Sequence, residues 1–142
     1  MPTEQEKQAE KERVTQNSGF RVGYHELLAE IDLPALKARN DRWEAEHSPM
    51  SREERKQNEL YMMVAYIGGG KAAAHIAIHI HAAHECGATK EEIYQLIKKV
   101  APWSSGAESY QTALEAWRMI FMPDFPTVFR VAELTSDSFP KD

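Results

Sequence analysis

The sequence has a single cysteine, Cys86, among its 142 residues. One cysteine excludes an intramolecular disulfide framework, and it also excludes a redox couple of two cysteines within one chain. The chain lacks a run of about 18 apolar residues, which a membrane-spanning helix needs. Its first residues contain no apolar stretch of the kind found in secretory signals. We therefore expect a cytoplasmic protein without a membrane partner.

Excess positive charge is also missing. The chain carries 17 basic and 22 acidic residues, a net charge of −5, whereas nucleic acid is bound chiefly through clustered Lys and Arg. We therefore expect no nucleic-acid partner. The hydrophobic fraction of 42% is ordinary for a folded chain, and this length allows one domain with a proper core but not two.

Strand-like segments at regular spacing are absent too, and apolar residues recur instead at helical intervals. Half of residues 1–18 are Glu, Gln or Lys, and few are apolar. They predict a charged N-terminal arm, either frayed or helical against a partner, ahead of one domain over residues 19–142. Two helices are predicted after Phe20, with Pro34 in the first turn of the second. The fold class predicted for the domain is all-α, an oligomeric helical bundle.

Capping signals predict the borders of the remaining helices. Ser51 and Glu54 form a capping box, which begins a helix that ends near Ile67 at three glycines. Thr89 and Glu92 form a second capping box. The other predicted helices run over residues 71–86, from Thr89 to the residue before Pro102, and from Ser105 to Met122.

One of these helices carries four histidines within ten positions, between alanines and isoleucines. At about 100° per residue, His75 and His79 share one face with Cys86. His81 and His84 lie on the other side, as core or interface residues. Two ionisable side chains one turn apart have a desolvation cost that a plain core would avoid. We therefore predict that His75 and His79 line a functional cavity.

The spacing of His75 and His79 also suits two ligands of one metal ion. A divalent transition metal would need a third ligand, and Glu59 on the preceding helix is the candidate. The same carboxylate would otherwise orient an imidazole. The residues leave both interpretations open.

The start of the histidine helix offers a candidate carboxylate site. Backbone N–H groups at a helix N-terminus favour anions, and here Lys71 follows a glycine triplet that ends at Gly70. This arrangement predicts a place for the carboxylate of a substrate. The triplet is equally consistent with a plain turn, because it lacks the full spacing of a phosphate-binding loop.

Three stretches carry a resemblance to a known family: SREER at the start of one helix, H-x7-G-A-T-x-E-E-I from His79 to Ile93, and ESYQTALEAW in the last helix. Over about residues 20–120 the chain resembles the carboxymuconolactone decarboxylase family, which includes the alkylhydroperoxidase D-like proteins. The resemblance implies an all-helical bundle of that type. It also implies a homo-oligomer, a trimer or hexamer, with active sites in pockets between helices.

The peroxidase branch of that family uses the motif C-x-x-C-x-x-x-H. Aligned on His79, its two cysteines fall at Ala72 and His75, and Cys86 lies beyond the histidine without a partner thiol. Peroxidase activity through a disulfide is therefore not expected. The decarboxylase branch has a histidine, matched by His79, and a carboxylate one turn earlier, where this chain has His75. Glu59 lies one residue out of register with an acidic position of the peroxidase branch.

The resemblance implies a cofactor-free lyase or isomerase of the decarboxylase type, acting on a small organic acid, lactone or enolisable compound. His79 would be the general acid/base, His75 would tune its charge, and Glu59 would orient it. Lys71 and the glycine backbone would hold the substrate carboxylate. Trp103 would form an apolar wall of the pocket.

Two alternatives remain open. In the first, a metal-dependent enzyme of the same fold holds a divalent ion with His75 and His79, and the ion polarises a carbonyl group. In the second, a non-catalytic helical oligomer uses its histidines in a small-molecule pocket or in a pH-sensitive interface.

Overall fold

The chain folds into α-helices. The computed structural model describes residues 1–104, 106 and 108–140. No strand occurs in that part, so the prediction of an all-α chain is confirmed. The helices are α1 (Glu4–Ser18), α2 (Gly23–Ile31), α3 (Leu33–His47), α4 (Arg52–Gly68), α5 (Ala73–Glu85), α6 (Lys90–Val100) and α7 (Ser109–Phe121), with a 3-10 turn at Ala101–Trp103.

The helix borders follow the capping chemistry. Ser51 and Thr89 each accept a hydrogen bond from the backbone N–H three residues later, and the glutamate there accepts one in return. Both predicted capping boxes are therefore confirmed. Pro34 lies in the first turn of α3, as predicted. The predicted start of the last helix, Ser105, lies outside the described residues, and α7 begins at Ser109.

The helices pack in two groups. Helices α1, α2 and α3 pack against one another, and α4 to α7 form the second group, in which α5 lies against both α4 and α7. Each group has its own apolar cluster. The smaller one is centred on Val14, Ala29 and Leu36, and the larger one joins α4, α5, α6 and α7.

The position of α5 follows from its sequence. Several of its alanines and isoleucines form a buried stripe in the larger core, and small alanine side chains allow neighbouring helices to lie close. Because that stripe occupies the core side of the helix, His75 and His79 are left on a different side, beside α4. The main residues of the stripe are Ile76, Ala77, Ile80 and Ala83.

Helix α1 packs within the chain, which differs from the expected frayed or partner-bound arm. Val14 is 1% exposed and belongs to the smaller core. Ion pairs also join α1 to its neighbours: Lys7 lies 2.8 Å from Glu30 of α2, and Arg13 lies 2.7 Å from Glu44 of α3. This packing could not be predicted from the sequence, because α1 has few apolar residues and its charged partners lie far along the chain.

Beyond α7 the described chain has neither helix nor strand up to residue 140. The hydroxyl of Thr127 donates a hydrogen bond to Glu115, and Arg118 donates to the carbonyl of Phe125, so the start of this tail lies against α7. Among the described helices, none combines the length and the apolar character that a membrane crossing requires.

Candidate active site

A cavity of about 430 Å³ lies between the two helix groups. Residues of α2 and α3 line one wall, and residues of α4 and α5 line the other. Its volume is within the range of small-molecule sites. The polar and aromatic side chains that line it include His25, Arg39, Trp43, His47, Arg55, Glu59, Tyr66, His75 and His79.

Glu59 is a buried carboxylate with two partners. It is 4% exposed. Its Oε2 lies 2.6 Å from Nδ1 of His79, and its Oε1 accepts a hydrogen bond of 2.7 Å from Nε of Arg55. Burial raises the pKa of Glu59, but the hydrogen bonds from His79 and Arg55 outweigh burial and hold this pKa below its usual value. Glu59 is therefore ionised at neutral pH.

The ionised Glu59 determines which nitrogen of His79 carries hydrogen. A carboxylate only accepts hydrogen bonds, so Nδ1 of His79 donates to Glu59. In the neutral ring, Nε2 then holds a lone pair, and this atom has no hydrogen-bond partner among the residues that the structure describes. An imidazole with a carboxylate behind Nδ1 is suited to take and return a proton through Nε2.

His75 lines the same cavity as His79, as the helical spacing predicts. The ring of Tyr66 packs edge-on against both, with ring centroids 6.3 Å from His75 and 4.8 Å from His79. His75 is exposed, so the cavity opens to solvent on this side. The role of His75 in tuning the charge of His79 stays a prediction.

Arg55 connects the two walls of the cavity. Its guanidinium carbon lies 4.8 Å from the ring centroid of Trp43 on α3, while its Nε holds Glu59 on α4. The ring of Trp43 is stacked on that of His47 at 4.1 Å, and Nδ1 of His47 donates a hydrogen bond of 2.8 Å to the carbonyl of Trp43. The α3 wall is therefore a stack of rings, with the arginine joining it to the carboxylate.

His25 is a buried neutral histidine of the α2 wall. It is 1% exposed. The backbone N–H of Val22 donates to its Nδ1 at 3.2 Å, so the hydrogen of the neutral ring is on Nε2, which lacks a partner among the described residues. A buried donor without a partner costs about 1–3 kcal/mol. Burial, assisted by the charges of Arg39 and Arg21, lowers the pKa of His25 to about 4.

This lowered pKa makes stability depend on pH. Below about pH 6.5 the unfolded chain binds a proton at His25, whereas the folded chain does so only below about 4. The free energy of unfolding is therefore expected to fall by about 2 kcal/mol from pH 7.5 to pH 5.0 because of this residue. Urea unfolding of the wild type and of His25→Asn at both pH values measures the difference.

Asparagine keeps an acceptor for the N–H of Val22 but does not titrate, so His25→Asn is expected to be less sensitive to pH. His84→Asn is the matched control, because His84 is exposed and its replacement should leave the steep pH dependence unchanged. If the free energy of unfolding depends on pH in the same way in the wild type and in His25→Asn, His25 is not the residue responsible for the pH dependence.

Lys71 and Gly70 lie away from this cavity. They line a separate cavity of about 180 Å³ near the start of α7. The backbone N–H groups of Gly69, Gly70 and Lys71 already donate to carbonyls of α4, and Gly70 has a φ of 67°, which glycine adopts readily. The glycines thus form a turn that ends α4, and they do not form the carboxylate site predicted beside His79.

Trp103 does not form a wall of the cavity either. It is the last residue of the 3-10 turn after α6 and is 89% exposed. The sequence resemblance placed it near a pocket, but this turn belongs to the α4–α7 group away from α2 and α3. The apolar lining comes instead from other parts of the chain, including Phe20, Met62 and Ile78.

Cys86, which the helical wheel places on the face of His75 and His79, does not line their cavity. Helix α5 ends at Glu85, and Cys86 lines a separate surface cavity with His81. Nδ1 of His84 donates a hydrogen bond of 2.8 Å to the carbonyl of Ala88, and its ring packs edge-on against Phe121. Of the four histidines of α5, His75 and His79 therefore share one cavity, whereas His81 and His84 have other surroundings.

The part of the chain that the structure describes contains no group of three or more His, Cys, Asp or Glu side chains placed to hold a metal ion. Glu59, considered as a third ligand, instead accepts hydrogen bonds from His79 and Arg55. The orienting role is thus the one that its contacts support. Metal binding by His75 and His79 stays a prediction.

The sequence interpretation missed the α3 wall. Arg39, Trp43 and His47 follow one another at intervals of four residues, which places them on one helix face. This stripe of one cation and two rings is a sequence pattern that could have indicated a cavity wall. The surrounding residues of α3 obscure it, because they are charged and typical of a solvent-exposed helix.

Comparisons with protein-family models, with curated proteins and with solved structures found no match to this chain. Its function must therefore be inferred from the site itself, in which a buried carboxylate and an imidazole form a hydrogen-bonded pair at the wall of a cavity.

Proposed function

We propose that this chain is a cofactor-free acid/base enzyme, a lyase or isomerase of the carboxymuconolactone decarboxylase-like type. Its substrate is a small organic acid, lactone or enolisable compound. The observation that carries the proposal is the 2.6 Å contact between Nδ1 of His79 and the buried carboxylate of Glu59 at the cavity wall. The sequence resemblance around His79 supports the same chemistry.

In this proposal Nε2 of His79 takes a proton from a carbon next to a carbonyl group. The C–H bond breaks, its electron pair moves into the enolate, and Glu59 stabilises the imidazolium that results. In a β,γ-unsaturated substrate the enolate is conjugated with the double bond, so the imidazolium returns the proton to the γ-carbon and the double bond moves to the α,β position, which gives an isomer. With a β-keto acid, the C–CO₂ bond breaks instead, and protonated His79 supplies the proton to the enolate carbon.

Arg55 has a supporting role. Its hydrogen bond and positive charge keep Glu59 ionised despite burial. An ionised Glu59 holds the hydrogen of His79 on Nδ1 and leaves Nε2 free for the substrate. Arg55 is thus a positioning residue that acts through Glu59.

Proton exchange in heavy water tests the proposal. We expect the protein, purified without a histidine tag, to incorporate deuterium next to the carbonyl group of some members of a panel of small lactones and β-keto acids, faster than buffer alone. Proton NMR follows the exchange, and carbon dioxide release is measured for the β-keto acids. Exchange that persists after dialysis against a chelator separates acid/base chemistry from the metal-dependent alternative. No exchange with any member of the panel would count against the proposal.

A further inference from the structure

Arg39 is a cation of the cavity whose charge has no anionic partner among the residues that the structure describes. It is partly buried on α3 and lines the cavity. Its guanidinium carbon lies 5.8 Å from the ring centroid of Tyr24. It forms neither an ion pair nor a hydrogen bond with the residues that the structure describes.

The other arginine of the cavity differs in this respect. Arg55 is bonded to Glu59, so its charge is already matched by a buried carboxylate. Glu46 also lines the cavity, but it is exposed and forms no ion pair with the described residues, so water solvates its charge. Of these charges, the one on Arg39 is partly removed from water without a compensating anion.

A second donor without a partner lies near Arg39. His25 lines the same cavity from α2, and its buried Nε2–H has no acceptor in the described part of the chain. The charge of Arg39 acts on this ring, since it contributes, after burial, to the lowered pKa of His25. Two donors without a partner, one of them cationic, thus belong to residues on the α2–α3 side of the cavity, and the guanidinium of Arg39 is suited to the oxygen atoms of an anion.

We infer that Arg39 binds the carboxylate of the ligand of this cavity, at the wall opposite the Glu59–His79 pair. A guanidinium group matches a carboxylate with two parallel hydrogen bonds. The ligand class is an acid with an apolar body, since Phe20 and Met62 line the space between the walls. The carboxylate that Arg39 holds is then remote from the carbon that reacts at His79, so it is a different group from a carboxylate lost there as carbon dioxide; this placement rests on the proposed function.

Paired acids and amides test this inference by direct binding, without turnover. The probes are acetate, benzoate and 3-phenylpropanoate, each compared with its neutral amide, and titration calorimetry gives Kd. We expect at least one of the two aromatic acids to bind the wild type at least tenfold more tightly than its amide. Arg39→Gln should raise the Kd of that acid at least tenfold and leave the Kd of the amide unchanged.

Arg42→Gln is the matched control, because Arg42 lies on the same helix, is exposed and does not line the cavity. The Kd of the Arg42→Gln protein for the acid should equal that of the wild type. Arg39→Lys keeps the charge without the planar fork and should give an intermediate Kd, which serves as a second variant if Arg39→Gln fails to fold by circular dichroism.

Equal binding of acid and amide, an unchanged Kd in a folded Arg39 variant, or no binding of any probe at millimolar concentration would overturn the inference. The proposed function is tested separately with His79→Gln, which should bind the acid as the wild type does. If the acid binds through Arg39 but the protein catalyses no proton exchange, the acid/base proposal is contradicted, whereas the carboxylate site at Arg39 is supported.

Discussion

Replacing His79 by glutamine is expected to lower the rate of catalysed proton exchange by about 10²–10⁴-fold, the usual contribution of a general acid/base. Glutamine keeps a hydrogen-bonding side chain next to Glu59, but it cannot take a proton near neutral pH. Glu59→Gln should cause a loss of at least about 10²-fold, because a neutral amide does not stabilise the imidazolium. Deuterium incorporation followed by NMR measures both rates.

His84→Gln is the matched control for this experiment. His84 lies on the same helix as His79 but is exposed and does not line the cavity. Its replacement should leave the exchange rate unchanged, and circular dichroism should show intact helices in all three variants. Exchange at the wild-type rate in a folded His79→Gln protein would show that another group moves the proton.

Arg55→Met is expected to reduce the free energy of unfolding at pH 7 by about 3 kcal/mol, the lower end of the cost of leaving a buried charge without its partner. The lower end applies because His79 still donates to Glu59 in the variant. Methionine has a similar length, so little packing is lost, although the contact of Arg55 with the Trp43 ring also disappears. Urea unfolding measures the loss.

Lys56→Met is the matched control, since Lys56 is the next residue on α4 and pairs at 3.0 Å with Glu53, whose side chain is 67% exposed. An exposed pair of this kind contributes little, so we expect a change within about 0.5 kcal/mol. Equal losses of unfolding free energy in Arg55→Met and Lys56→Met would mean that the buried hydrogen bonds around Glu59 contribute no more to stability than an exposed ion pair.

The effect of Arg55→Met also has a defined pH dependence. The pKa of Glu59 is lowered in the folded chain, so its ion pair contributes stability above the unfolded pKa of about 4.5 and loses that contribution as the pH falls through the folded pKa. The difference between wild type and Arg55→Met should therefore be largest near pH 7 and shrink at acidic pH. A difference that grows with acid would contradict this origin.

Local features of the fold could be predicted from the sequence. The two capping boxes at Ser51 and Thr89 depend on side chains and N–H groups three residues apart, so the sequence contains all of their partners. The pairing of His75 with His79 on one helix face depends only on helical periodicity. The lack of a second cysteine excludes chemistry that needs two thiols in one chain.

Contacts between distant residues could not be predicted in the same way. The Glu59–His79 hydrogen bond joins residues 20 positions apart, and it depends on how far α5 lies along α4. The packing of α1 includes ion pairs such as Lys7 with Glu30. The sequence does not distinguish these partners from the many other charged residues of the chain.

By itself, the sequence determined the all-helical class, the borders of α4 and α6, and the candidacy of His75 and His79, because these depend on hydrogen bonds and periodicity within a few residues. Only the tertiary structure decided that Glu59 is hydrogen-bonded to His79, that Arg39 belongs to the same cavity, and that the N–H groups of Gly69, Gly70 and Lys71 already donate to carbonyls of α4. The physical reason is that the packing of buried apolar stripes determines which side chains meet across a helix interface. The positions of those two side chains in the sequence show no regular spacing that would reveal the contact.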